Sequence, residues 1–233
     1  MADLRKLVAL FLCFCLIGVP VHATDGEKLV ALTFDDGPSG RFTRRLLEGL
    51  AQRDAKATFL LCGYRLEQYQ RLATDIVAAG HEVGVHGYSH RSMCAMSRRE
   101  LEAEIRKTLP LLPADGVVFL RPPGGLCDAH IQETAKTMDL AILHWSVDPK
   151  DWATNDTDLI VRRVVSRVQD GDVILLHDMS DSSVDAALQI VDALRKKGFR
   201  FVTASELAKA HGYTLQPGKR YDHFRPREDR GEK

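Results

Sequence analysis

The chain alternates short apolar runs with amphipathic stretches of helical period, and this alternation is the feature that most restricts its fold. Strands that are separated by helices favour βα units and a largely parallel sheet, so the pattern predicts an α/β fold. About seven parallel strands in one domain favour a closed or nearly closed barrel over an open sheet, although the pattern alone allows both. The seven predicted strands cover residues 29–34, 57–61, 82–85, 117–120, 141–146, 173–176 and 200–202.

Between these runs, helical period predicts helices that include 43–52, 66–79 and 159–168. Ser97-Arg98-Arg99-Glu100 is a capping-box sequence and predicts a helix that begins there and runs to about Leu109. Asp156 or Thr157 is expected to cap the helix that follows, and Ser183 the one after it.

The first 23 residues have the pattern of a secretory signal peptide. Basic Arg5 and Lys6 precede an apolar stretch over 7–19, and Val21-His22-Ala23 resembles a small-residue cleavage site. The apolar stretch is too short for a membrane span, and no later stretch is apolar for long enough. We therefore expect a signal peptide at 1–23, one domain at 24–214, and a polar, loosely ordered tail at 215–233. The mature protein is expected to be secreted, periplasmic or in the cell envelope.

Charge and cysteine content narrow the possible partners. The chain has 32 Lys and Arg residues against 32 Asp and Glu residues, a balance that argues against nucleic acid or an anionic membrane as the main partner. Beyond the signal peptide remain Cys62, Cys94 and Cys127, an odd number that allows at most one internal disulfide. A three-cysteine zinc site is disfavoured because no Cys-x-x-Cys spacing is present.

Asp35 and Asp36 are adjacent carboxylates at the end of the first apolar strand, in Thr-Phe-Asp-Asp-Gly-Pro at 33–38. Two like charges side by side are costly to desolvate unless a cation or a shared proton neutralises them. Taken alone, the segment is equally compatible with a solvated turn, because Asp, Gly and Pro are common turn residues.

His86 and His90 follow the 82–85 run, four residues apart, and can reach one ion from a single turn or a tight loop. Together with one strand-end aspartate they form a set that suits zinc with an open position for water. Such an ion would acidify water and polarise a carbonyl.

Three further segments lie at the carboxyl ends of predicted strands, the positions at which α/β folds place active sites. Arg121 begins a Pro-Pro-Gly-Gly turn, and its guanidinium is expected to seek a carboxylate. Asp148 is expected to be an ordinary loop residue, in a loop anchored by Trp152. His177 ends the most apolar strand and, beside a carboxylate such as Asp151, would become a tuned general acid.

These five segments, in this order, resemble the polysaccharide deacetylase family, also called the NodB-homology domain or carbohydrate esterase family 4. Thr-Phe-Asp-Asp-Gly-Pro followed by His-x-x-x-His is highly specific, and the resemblance runs from about residue 29 to residue 203. It implies a distorted (β/α) barrel and metal-dependent hydrolysis of N-acetyl groups on a sugar polymer. The expected cofactor is a divalent metal, with Zn²⁺ preferred.

Roles follow from the resemblance residue by residue. The metal ligands match Asp36, His86 and His90. The catalytic base matches Asp35, oriented by Arg121, and the general acid matches His177, tuned by Asp151. The substrate-binding residues match Gly124, Trp152 and Leu175.

Two positions depart from the family pattern. Gly87 stands where Ser or Thr is usual, and we expect looser metal binding as a result. Gly124 replaces an aromatic residue, which keeps a backbone N–H for the oxyanion but removes part of the groove wall.

The resemblance favours removal of N-acetyl groups from an N-acetylglucosamine-containing glycan such as peptidoglycan or a chitin-like polymer. An O-acetyl esterase that acts on a xylan-like polymer would use the same residues and is the first alternative. A glycan- or metal-binding pseudoenzyme is the second, and it is disfavoured because base, acid and ligands are all present. The polymer, the oligomeric state and the disulfide state stay open.

Overall fold

A parallel β-sheet forms the centre of the fold in a computed structural model that describes residues 27–114 and 116–226. The order of neighbouring strands is β6-β1-β2-β3-β4-β5-β8, and β7 pairs with β1. All seven predicted strands are present, so the predicted α/β fold is confirmed. The strands are β1 (Lys28–Asp35), β2 (Ala57–Leu61), β3 (Glu82–Val85), β4 (Phe119–Leu120), β5 (Ala141–Leu143), β6 (Val173–His177), β7 (Phe199–Phe201) and β8 (Arg220–Tyr221).

The sheet curls into a distorted barrel whose two ends approach each other. Val147, just beyond β5, forms a parallel bridge with Ile174 of β6, and Asp172 forms an antiparallel bridge with His223. These isolated bridges connect the β5–β8 edge of the sheet to β6. The barrel is therefore nearly closed, as the number of predicted strands favoured.

Eight helices connect the strands within the described residues. They are α1 (Gly40–Ala51), α2 (Gly63–Gln68), α3 (Gln70–Ala78), α4 (Arg98–Thr108), α5 (Ala129–Thr137), α6 (Thr157–Val165), α7 (Asp181–Arg195) and α8 (Ala204–Ala210). The capping box at Ser97 is confirmed, with reciprocal bonds to Glu100, and Asp156 caps α6 by accepting from the Leu159 N–H.

Two details of the helix prediction are wrong. The helix expected over 66–79 is two helices, because Tyr69 between them has φ −128° and ψ 41°, outside the helical region. Ser183 does not cap α7: it lies inside the helix and donates its N–H to Ser180, whose hydroxyl is the cap. A run of serines offers several caps, and the backbone path chooses among them.

The predicted loosely ordered tail also needs correction. Arg220–Tyr221 is strand β8, paired with β5, and Tyr221 and Phe224 are buried. The polar composition after residue 214 conceals two aromatic anchors, Tyr221 and Phe224, which pack on each other and on Tyr213. The structured domain therefore extends to residue 226, and 227–233 lie outside the described residues.

The N-terminal prediction of a signal peptide at 1–23 falls outside the described residues. Within them, no helix combines the length and apolar character that crossing a membrane requires. Cys62 is buried, Cys127 half-buried and Cys94 exposed, and all three are free thiols.

Strand β1 positions the site. Every residue of β1 after Lys28 is buried, which is expected for a central strand of a parallel sheet covered on both faces. In register, Asp35 lies opposite His177 of β6 and Leu60 of β2. The carboxyl ends of these strands therefore meet at one edge of the barrel.

Candidate active site

Three side chains converge at this edge in an arrangement that can hold a metal ion. Asp36 follows β1, and His86 and His90 follow β3. The Asp36 Oδ1 atom lies 3.2 Å from His86 Nε2 and 2.9 Å from His90 Nε2, and the three possible ligand atoms lie within 4.8 Å of one another.

The donor set fits a divalent cation. Asp36 Oδ1 is buried and accepts no hydrogen bond of good geometry from the described residues, although two imidazole nitrogens face it. His86 Nδ1 lies 2.8 Å from the Arg121 carbonyl and donates to it, which leaves the Nε2 lone pair free for an ion. Burial by itself would raise the pKa of Asp36, but its interactions with His86 and His90 outweigh burial and hold the pKa well below its ordinary value.

The ligands rest on strained backbone. Asp36 and His90 both have positive φ angles, 72° and 60°, in the left-handed region that non-glycine residues seldom adopt. Such strain persists only where the surroundings impose it, and it concentrates at functional sites.

A glutamate that sequence reasoning missed holds the histidine loop. Glu104 of α4 accepts the N–H groups of Tyr88 and Ser89 through Oε2, each at 2.8 Å, and the Ser89 hydroxyl through Oε1 at 2.8 Å. Gly87 has φ +78°, and a Cβ there would lie 3.0 Å from the Met93 methyl. The glycine therefore suits this loop, and Glu104 restrains the loop from α4.

Asp35 is held by a fully buried arginine. The Arg121 Nη1 atom donates to Asp35 Oδ1 at 2.6 Å and to the Thr33 hydroxyl at 2.8 Å. Asp35 Oδ2 remains outside this pair and lies 3.8 Å from His86 Nε2. One oxygen is thus anchored, while the other faces the three converging side chains.

His177 is paired with a second buried carboxylate. Its Nδ1 lies 2.8 Å from Asp151 Oδ1, and its backbone N–H donates to Asp151 Oδ2 at 2.8 Å. Burial by itself lowers the pKa of His177, but the hydrogen bond and the charge of Asp151 outweigh burial and raise the pKa to about 9. The imidazole is therefore protonated at neutral pH.

A cavity of about 300 Å³ joins these groups. Eight of the ten predicted site residues line this cavity. The other two, Arg121 and Asp151, lie behind it and hold Asp35 and His177. The lining residues are Asp35, Asp36, His86, His90, Gly124, Trp145, Asp148, Trp152, Leu175 and His177.

Two of these lining residues were not predicted. Asp148, expected to be an ordinary loop residue, accepts the Lys150 N–H at 2.7 Å and also faces the cavity. Trp145 stacks on His144 at 3.9 Å between ring centroids. Gly124 has φ +70° and open space at its Cβ position, so Trp145 and the 65% exposed Trp152 provide the aromatic walls.

Asp178 is a further buried carboxyl that sequence reasoning missed. The Thr43 hydroxyl donates to Asp178 Oδ2, and the Ser39 hydroxyl donates to the Asp178 carbonyl. Burial raises the pKa of Asp178 to about 6, against the opposing effect of the Thr43 hydrogen bond. These bonds tie the end of β6 to the start of α1, and so support the turn that follows Asp36. The sequence offered one signal for Asp178: it follows His177 directly, at the end of a predicted strand.

A model of the family described as polysaccharide deacetylase matches residues 22–143 of the chain. The chain is 36% identical over 193 residues to a peptidoglycan-N-acetylglucosamine deacetylase of Bacillus cereus, a match that covers 79% of this chain and 90% of that protein. It is 35% identical to a chitooligosaccharide deacetylase of Sinorhizobium fredii, with 78% and 92% of the two chains covered.

Among solved structures, the fold is similar to that of a family 4 acetyl xylan esterase from Clostridium thermocellum in complex with a cobalt ion. The TM-score is 0.78 at 30% identity, and the match covers 84% of this chain and 98% of that one. That structure supports a divalent metal for the group formed by Asp36, His86 and His90.

Proposed function

This chain belongs to the polysaccharide deacetylase family, and we propose that it hydrolyses N-acetyl groups on a glycan that contains N-acetylglucosamine. One observation carries the proposal: an anchored carboxylate, a protonated histidine and a metal-binding triad face a single cavity. Two named relatives that this chain covers almost completely are deacetylases of peptidoglycan and of chitooligosaccharide.

Asp36, His86 and His90 would hold the divalent cation, and Zn²⁺ suits two imidazoles and one carboxylate. When bound, the cation supplies Lewis acidity, which lowers the pKa of water and polarises a carbonyl. The Arg121 carbonyl fixes the His86 tautomer, and Glu104 holds the loop that leads to His90.

Asp35 is the proposed base. Arg121 orients the carboxylate by donating to one of its oxygens, and the other oxygen can accept a proton from the attacking water. His177 is the proposed acid: Asp151 keeps the imidazole protonated, so that its Nε2–H can be delivered to the leaving nitrogen. The two groups lie in register at the ends of neighbouring strands, and both line the cavity where an acetamide would react.

The acetyl group is proposed to enter between Trp152 and Leu175, which line the cavity beside His177. The Gly124 N–H is proposed to donate to the oxyanion that develops on the acetyl carbonyl. Gly124 has no side chain to narrow the groove, and nothing lies within 4 Å of its Cβ position.

The test is acetate release by the zinc-loaded protein. Asp35→Asn and His177→Ala are each expected to lower kcat by about 10²- to 10⁴-fold on N-acetylated glycans, because each removes one proton-transfer group. Circular dichroism and thermal unfolding would show that both variants remain folded. Wild-type turnover by either variant would remove its assigned role, and a chelator is expected to abolish the wild-type activity.

An O-acetyl esterase is the second candidate, favoured by the likeness to the acetyl xylan esterase. The same base and acid would serve an ester, so only substrates separate the two activities. Parallel acetate assays on peptidoglycan, chitooligosaccharide and acetylated xylan would decide between them. Binding of zinc with no acetate release from any of the three would instead indicate a pseudoenzyme.

The predicted signal peptide, together with a relative named for peptidoglycan, supports a location outside the cytoplasm or in the cell envelope. The proposed partner is the acetylated glycan itself.

A further inference from the structure

A second cavity of about 310 Å³ lies beside the active site, and we name it the arginine cavity. It is lined by residues that include Gly40, Arg41, Phe42, Arg65, Tyr69 and Met179. Met179 also lines a third cavity, of about 220 Å³, whose lining includes Asp36, Trp152 and His177. The arginine cavity therefore adjoins, through Met179, the cavity beside the catalytic groups.

The charges in the arginine cavity are all of one sign. Its lining contains two arginines and, among the described residues, neither Asp nor Glu. Arg65 donates to the Tyr64 hydroxyl at 3.1 Å and has no carboxylate within ion-pair distance in the part of the chain that is described. A guanidinium without a carboxylate, in a concave site, is suited to bind an anion from outside.

Arg41 can contribute to the same site. Its guanidinium lies over the Phe42 ring, 4.4 Å from the ring centroid, and pairs with Asp181 at 2.9 Å. That pair is on the surface, with 72% of the Arg41 side chain exposed, and exposed pairs contribute little to stability. Arg41 can therefore turn toward a ligand at little cost, while Phe42 and Tyr69 supply apolar surface for a sugar ring.

We propose that the arginine cavity is a subsite for a carboxylate-bearing unit of the glycan substrate. The inference rests on the proposed function, because it identifies the substrate class of the same groove. The preferred polymer is then an anionic glycan such as peptidoglycan, in which N-acetylmuramic acid carries either a free lactyl carboxylate or, where that group is amide-linked to a peptide stem, the carboxylates of the stem. A neutral chitooligosaccharide offers no group that the arginines could neutralise.

The experiment compares Arg65→Gln and Arg41→Gln with wild type, using zinc-loaded protein. The substrates are peptide-free peptidoglycan strands, the same strands with their carboxyl groups amidated, and chitooligosaccharide of equal length. Arg65→Gln is expected to raise KM for the carboxylated strands by about 10-fold and to leave kcat unchanged, because an interaction with a charged group is lost. The KM of Arg65→Gln for chitooligosaccharide is expected to equal that of wild type. Amidation of the strands should raise the KM of the wild-type protein by about the same 10-fold factor.

Arg44→Gln is the matched control. Arg44 lies on α1, as Arg41 does, but it lines a different cavity with Arg71 and Asp75. It should leave every KM unchanged. An equal loss on charged and neutral substrates, or no loss on either, would overturn the inference, as would a wild-type preference for the neutral oligosaccharide. Strands that retain their peptides distinguish the lactyl carboxylate from those of the peptide stem. If the KM is lower for these strands than for peptide-free strands, the arginines bind the carboxylates of the stem.

Direct binding separates this inference from the proposed function. The affinity of Asp35→Asn for carboxylated strands, with and without Arg65→Gln, is measured by calorimetry and needs no turnover. If the double variant binds carboxylated strands more weakly than Asp35→Asn alone, the subsite is supported even when no acetate is released. Acetate release by wild type together with unchanged affinity would keep the function and overturn the subsite.

Discussion

Arg121 shows how one residue connects structure and chemistry. It is fully buried, and its guanidinium donates to Thr33 and Asp35 of β1 and to the carbonyls of Leu143 and His144 at the end of β5. Burial lowers its pKa, the Asp35 carboxylate opposes that change, and an arginine remains charged in either case. A buried charge is tolerated only when it is paired and hydrogen-bonded in this way. The same bonds orient the proposed base.

The pairing of His177 with Asp151 leads to a prediction about pH. A general acid must be protonated to act, so the raised pKa of His177, about 9, keeps activity as the pH rises until that value is passed. Asp151→Asn removes the carboxylate and leaves the lowering effect of burial. The alkaline limb of kcat/KM is therefore expected to move to lower pH, as measured from the full pH profile.

Asp158→Asn is the control for this prediction, because Asp158 is exposed on α6 and undergoes the same change of charge. Its profile should match wild type. An alkaline limb that stays in place in Asp151→Asn would show that another group sets it.

At the scale of elements, the site depends on strand ends and on the loops that follow them. The parallel register places Asp35 opposite His177, and the Arg121 N–H donates to the Val85 carbonyl at 2.8 Å, next to His86. Helix α4 contributes from outside the barrel, since Glu104 accepts three hydrogen bonds from the loop between the two histidines.

Glu104→Ala is expected to weaken metal binding by about 10- to 100-fold, the range typical for groups that orient metal ligands. Without the carboxylate, the Tyr88 and Ser89 N–H groups lose their acceptor, and His90 is less well oriented. Zinc affinity would be measured by competition with a chromogenic chelator.

Glu102→Ala provides the comparison, because Glu102 is on the same helix and, among the described residues, forms an ion pair only with Arg98. That variant should bind zinc as wild type does. A normal zinc affinity in folded Glu104→Ala would mean that the loop is positioned without the glutamate.

At the scale of the whole molecule, the C-terminal segment helps to close the barrel. Strand β8 pairs with β5, and the Phe224 N–H donates to the Gly171 carbonyl at 2.7 Å, just before β6. Phe224 is fully buried between Tyr213 and Tyr221. The segment thus connects the two edges of the sheet.

Phe224→Ala is expected to lower the free energy of unfolding by about 3–5 kcal/mol, through lost burial and the cavity that remains. Denaturant titration followed by circular dichroism measures the change. Leu126→Ala, at a 61% exposed side chain, should change it by less than about 0.5 kcal/mol. A similarly small change for Phe224→Ala would mean that the segment does not contribute to barrel stability.

Much of the site was predictable because its residues follow strands in recognisable segments. Asp35, Asp36, His86, Arg121 and His177 all lie at or next to a strand end, as their apolar flanks indicate. Glu104 was not predictable in this way, because a glutamate on an amphipathic helix has many ordinary explanations. Asp178 does lie next to a strand end, but an aspartate after a histidine is equally common in ordinary turns. Only their partners in the folded chain distinguish them.

The sequence by itself determined the alternation of the first seven strands with helices and the residue types at the strand ends, because hydrophobic period and turn residues act over a few neighbouring positions. Tertiary structure decided which distant groups meet. Arg121 reaches Asp35 across 86 positions of sequence, Phe224 lies against Gly171, and two arginines from α1 and α2 line one cavity beside the active site. Such contacts depend on strand register and barrel closure, which no local pattern encodes.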